Sequence, residues 1–170
     1  MIIWIIGMSS AGKTVIGKEL YQMIKQTHKN TVFLDGDIFR GLHDNDVDHS
    51  VPGRKKNSDR LTRICQFLDD QGINVVCSVL SIFPEAQEWN RQNYKEYFEV
   101  FLDVSFETLV KRDLKGLYKK ALNGEMDNVV GVHIEFPHPT KSNLVIHNEG
   151  EKNPDTIARE IFNQIHAQLQ

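Results

Sequence analysis

The amino-acid sequence predicts an α/β protein built on a doubly wound, parallel sheet of five strands with helices on both faces. Five short apolar runs, at 2–6, 31–34, 73–79, 98–104 and 143–147, are rich in β-branched or aromatic residues. Longer stretches of helical periodicity separate them, which is the βα alternation of a sheet whose strands are buried on both sides. A third observation locates the ligand end of the sheet. The first run, IIWII, passes directly into the glycine-bearing stretch GMSSAGKT at 7–14.

Each element follows from local pattern. After GMSSAGKT, Ile16, Leu20, Met23 and Ile24 form one apolar stripe of an amphipathic helix. The second run ends in LDGDIFR, residues 34–40. Beyond it GLHDNDVDHSVPG, residues 41–53, is polar and rich in breakers, which predicts a surface loop. Leu61, Ile64, Cys65 and Leu68 mark a second helix before the run at 73–79, and a helix carrying Trp89 follows Pro84. After the fourth run comes an irregular stretch, 115–141, containing Gly116, Gly124, Gly131, Pro137 and Pro139. Within a compact domain a connection of that length is expected to serve as a lid. Asn153 and Pro154, a cap followed by proline, open a C-terminal helix with its stripe at Ile157, Ile161, Ile165 and Leu169.

Composition limits the function. A chain of 170 residues with 40% hydrophobic content suits one well-covered core, so residues 1–170 are expected to form a single domain. The net charge of -3, without a block of like charges, leaves no footprint for nucleic acid and no polybasic anchor for a membrane. No apolar run approaches the roughly 18 residues that span a bilayer, and MIIWII lacks the basic flank of a signal peptide, so a cytoplasmic protein is expected. Cys65 and Cys77 lack metal or redox spacing, and Cys65 falls on an apolar stripe, which predicts a buried free thiol. The seven histidines are scattered without zinc-ligand spacing.

The chemistry concentrates in three stretches. GMSSAGKT fits G-x-x-x-x-G-K-[ST] between a strand and a helix, the context of a phosphate-binding P-loop of the NTPase type. Gly7 and Gly12 permit the backbone path, and the N–H groups of Ser9, Ser10, Ala11 and Gly12 can then turn toward phosphate oxygens at a helix N-terminus. Lys13 reaches the β/γ-phosphates and Thr14 offers its hydroxyl to Mg²⁺, so ATP and Mg²⁺ are the expected ligands. LDGDIFR places Asp35 and Asp37 at the end of the second strand, facing the phosphates. One carboxylate there can orient Mg²⁺ through water and the other can accept a proton from an attacking hydroxyl, or either can cap a helix. Arg40 is near enough to meet an anionic acceptor. A motor or large switch ATPase needs more chain, which leaves a small kinase acting on a small-molecule acceptor.

Together with RDLKGLYKKA at 112–121, GMSSAGKT and LDGDIFR resemble the adenylylsulfate kinase (APS kinase) family, in order along nearly the whole chain. The resemblance implies a P-loop kinase fold, MgATP, a homodimer, and phosphorylation of the 3′-hydroxyl of a nucleotide whose 5′-phosphate bears a further anionic group. It makes Asp37 the group that activates the ribose hydroxyl, with Arg40, Arg54 and Asn57 around the acceptor. Ser81, in Leu80-Ser81-Ile82, stands at the family's Ile-Ser-Pro turn. Lys115, Gly116 and Leu117 fall where the lid meets the acceptor, and Arg112 where a lid arginine approaches ATP.

The departures concern the acceptor's base. Family members read D-L-G-F-S-x-x-D-R-x-E-N-I-R-R where this chain reads DVDHSVPGRKKNSDR at 46–60, so a phenylalanine becomes His49. The family's F-T-G-I-D aligns with VVGVH at 129–133, so a second becomes Val129. In APS kinases these aromatics clamp adenine, and such stacking is worth about 1–3 kcal/mol per base. The pattern is similar to a diverged branch, the cytidine diphosphoramidate kinases of bacterial capsular polysaccharide synthesis. The alternative is an APS kinase making 3′-phosphoadenylyl sulfate, with His49 or Phe136 as a substitute stacking surface.

Overall fold

The computed structural model describes residues 1–169. Its sheet has the order β2-β3-β1-β4-β5, and every pairing is parallel. The strands are β1 (Ile2–Ile6), β2 (Thr31–Asp35), β3 (Asn74–Val79), β4 (Tyr97–Asp103) and β5 (Leu144–His147). The sequence-predicted strands agree with these to within a residue at either end.

β1 lies at the centre because it is apolar on both faces. Ile3 and Ile5 point into one core, Ile2, Trp4 and Ile6 into the other, and none is more than 1% exposed. The first core is covered by α1 (Lys13–Thr27) and α7 (Pro154–Ile165), whose Ile16, Leu20, Ile24, Ile157, Ile161 and Ile165 are fully buried. The second core is covered by α3 (Val51–Asp70), through Leu61 and Cys65, and by α4 (Pro84–Asn93). Both cysteines are buried and free. Trp4 and Trp89 pack in this second core.

Three expectations are corrected. The loop at 41–53 is shorter, because α3 already begins at Val51: Ser50 caps it by accepting the Gly53 N–H (3.2 Å), and Pro52 occupies the first turn. Gly53 is there for closeness, since a Cβ would stand 2.4 Å from Asp48 Oδ1. The irregular stretch at 115–141 contains a short helix, α6 (Leu117–Leu122), preceded by α5 (Phe106–Lys111). α7 stops at Ile165 in a 3-10 turn, so Leu169 packs on the core from outside the helix.

Candidate active site

The 7–14 loop leaves the C-terminal end of β1, LDGDIFR spans that of β2, and RDLKGLYKKA follows β4 and α5. Residues 7–14 curl from β1 into α1, with Ser10 and Gly12 at φ +66° and +95°. Left-handed angles at such positions turn successive peptide N–H groups inward. Lys13 Nζ donates to Met8 O at 2.7 Å, folding the side chain back over the loop. Desolvation lowers its pKa to about 8, against the opposing pull of Asp37 and Asp35. A cation so placed favours an anion beside it, and the backbone around it offers N–H groups for that anion. The loop therefore fits a polyphosphate.

Asp35 has two tasks. Its Oδ2 accepts the Thr14 hydroxyl at 2.6 Å, while its Oδ1 caps α2 (Gly36–Gly41) by accepting the N–H groups of Asp37 and Ile38, at 3.0 and 3.3 Å. The cap and the site are thus the same carboxylate. Thr14 keeps hydroxyl lone pairs for a cation, with an acidic oxygen alongside, which fits a hard divalent ion. Asp37 lies in the first turn of α2, exposed, and its charge is felt at Lys13, His49 and Arg54. It stands between the loop and the acceptor region.

That region is cationic. Arg54 Nε donates to His49 O (2.8 Å) and its Nη2 to Asn128 O (3.0 Å), tying the start of α3 to the 115–141 segment. Burial and then Arg40 hold the Arg54 guanidinium below its usual pKa, opposed by Asp37. His49 is lowered by desolvation and by the same two arginines. Cations that crowd one another this way favour an anion between them.

The structure places the other expected residues as follows. Arg40 is only 7% exposed and Nη1 donates to Val47 O and Asp48 O, at 3.1 and 2.8 Å, so the side chain shapes the loop at 47–48 and does not stand free at an acceptor. Its Nε is buried without a partner. Asn57 Nδ2 donates to Gly36 O at 3.2 Å, and its Oδ1 is likewise buried and unpartnered. Leu80 packs on the second core. Ser81, at φ +53°, accepts Trp4 Nε1 (3.4 Å) and Gln87 Nε2 (3.1 Å) on its hydroxyl. Arg112 caps the C-terminus of α5, with Nη2 3.2 Å from where a Cβ on Gly150 would stand. Gly116 is the cap position of α6, Leu117 packs on the first core, and Lys115 is exposed.

The two positions aligned with the family's aromatics differ in kind. Val129 is 2% exposed and packed in the first core, while His49 is exposed at the rim. Phe136 is 8% exposed and stacks on Phe101 (5.9 Å between centroids, 29°), so one of its ring faces is already taken up within the protein. Sequence reasoning missed four residues here. Asp113 caps α6 by accepting the N–H groups of Leu117, Tyr118 and Lys119. Tyr118 and Asn148 hydrogen-bond to the 7–14 loop, and Gln87 fixes Ser81.

The geometry agrees with known proteins. The cytidine diphosphoramidate kinase of Campylobacter jejuni is 41% identical over 155 residues, covering 89% of this chain and 88% of that protein. The adenylyl-sulfate kinase of Halothermothrix orenii is 30% identical over 159 residues, 94% of this chain and 86% of its own. The Mycobacterium tuberculosis APS kinase CysC, solved in complex with AMPPNP and APS, superposes with a TM-score of 0.89 at 26% identity, covering 97% of this chain and 96% of the other. The adenylylsulphate kinase family profile matches residues 1–147. With a parallel five-stranded sheet, a phosphate-type loop at its centre and relatives that are kinases, the chain belongs to the adenylylsulphate kinase family and is a phosphotransferase acting on a nucleotide.

Proposed function

We propose that the protein phosphorylates the ribose 3′-hydroxyl of a 5′-activated pyrimidine nucleotide, cytidine diphosphoramidate, at the expense of ATP. The observation that carries this reading is the pair of base positions: Val129 is packed in the core and His49 alone remains at the rim, so no two aromatic faces are available to sandwich a purine. The similarity to the Campylobacter jejuni kinase supports it. Adenylyl sulfate is the competing acceptor, and the packing of Phe136 against Phe101 weakens it.

In this mechanism Lys13 and the N–H groups of 9–12 hold the donor's terminal phosphates. Thr14, steadied by Asp35, would hold Mg²⁺, which when bound neutralises charge on those phosphates. Asp37 takes the proton from the 3′-hydroxyl as it attacks the γ-phosphorus in line, and the leaving group is ADP. Arg54 meets the acceptor's anionic tail, and the buried Arg40 guanidinium behind it shapes the loop at 47–48 and adds positive charge.

A panel of 5′-activated nucleotides, assayed for acceptor-dependent ADP release, tests the substrate. The expected result is a kcat/KM at least tenfold higher for cytidine diphosphoramidate than for adenylyl sulfate, and the reverse order would reassign the acceptor. The same assay on Asp37→Asn is expected to show kcat lower by about 10²–10⁴-fold with an unchanged unfolding midpoint. Near-normal turnover in that variant removes Asp37 from the proton-transfer role.

A further inference from the structure

An N–H cradle needs its carbonyls turned outward, and those of Met8, Ser9 and Ala11, in the turn ahead of α1, are each held. Met8 O accepts Lys13 Nζ and the Ala11 N–H, both from inside the loop. Ser9 O accepts the Tyr118 hydroxyl at 3.0 Å, and Ala11 O accepts Asn148 Nδ2 at 3.0 Å. These last two donors come from far along the chain. Tyr118, in α6, is fully buried, with its ring edge-on to Phe106 at 5.3 Å and 75°. Asn148 follows β5, is 8% exposed, and its Nδ2 lies 3.3 Å from where a Cβ on Gly12 would stand. A buried hydroxyl and a buried amide that lost these acceptors would be costly to the fold, so both contacts are strongly preferred.

We propose that Tyr118 and Asn148 are positioning residues: they fix the peptide planes of Ser9 and Ala11 so that the loop's N–H groups already face the phosphates before the nucleotide arrives. The inference rests on the reading of 7–14 as the phosphate site. Its second part concerns Tyr118 alone. Because Tyr118 belongs to the 115–141 segment, docking of α6 and affinity for the donor's phosphates are linked, and each favours the other.

Tyr118→Phe keeps the ring against Phe106 and removes the hydroxyl. Calorimetric titration with inorganic tripolyphosphate and with ATP is expected to show affinity reduced roughly fivefold to twentyfold for both. KM for ATP should rise, KM for the acceptor should stay, and the unfolding midpoint should stay within a few degrees of the parent's. Asn148→Ala should reproduce the loss at Ala11, and it carries the test if Tyr118→Phe does not fold. Parental affinity in both variants, or losses that only track a lower midpoint, overturns the inference. A parent protein that binds no tripolyphosphate overturns instead the reading of the loop beneath it.

Discussion

Lys13 shows how a single residue can report the state of this site. Its ammonium is desolvated enough to sit at about 8, so the empty site begins to lose the charge just above neutral pH. A bound polyphosphate restores the preference for the charged form, which raises the pKa in the complex above that of the free protein. Binding therefore takes up a proton once the pH passes about 8, and affinity falls from there upward. The expected outcome is a Kd for ATP that weakens by up to about tenfold between pH 8 and 9, with proton uptake visible as a dependence of calorimetric heat on buffer. Lys13→Met should bind weakly and show no such slope. A flat profile in the parent would mean that Lys13 keeps its proton in the empty site.

The strands were legible because each is a short apolar run of β-branched or aromatic residues, and the longer helices because their stripes repeat over several turns. α2 and α6 were not, since six residues, GDIFRG and LYKKAL, are too few to show a period. The start of α3 was misread for a different reason: Pro52 and Gly53 break a helix interior but are tolerated or favoured in a first turn. Of the candidate site, the phosphate loop, Asp35 and Asp37 could be read from their spacing. Tyr118 and Asn148 could not, because their partners lie 109 and 137 residues away in sequence. Asp113 had a local signal in its spacing to the following helix, and that helix depends on it. Asp113→Ala leaves three N–H groups of α6 without their acceptor, and is expected to lower stability by about 1 kcal/mol. Hydrogen exchange should quicken first at residues 117–119, and unchanged protection there would show that the cap is dispensable.

The molecule as a whole places its chemistry by placing β1. That strand is flanked by β3 and β4 and buried on both faces, and the 7–14 loop extends from its end. The residues proposed for the acceptor follow β2 and β3 or open α3, so the proposed donor and acceptor sites share one sheet. We expect the assembly in solution to be a homodimer, on the resemblance to APS kinases. Sedimentation equilibrium should give twice the chain mass of 19.6 kDa, and a species of 19.6 kDa across the concentration range would refute it.

The Asp35 carboxylate has a mechanical meaning. One oxygen grips the Thr14 hydroxyl at the end of the 7–14 loop, and the other is the peg on which the helix bearing Asp37 is hung. Any tug on Thr14 is thus passed through the two C–O bonds of one carboxylate, with a hydrogen bond at either end, to the start of the helix that carries Asp37. On the proposed reading, loading the donor is expected to steady the base as well, through a single side chain.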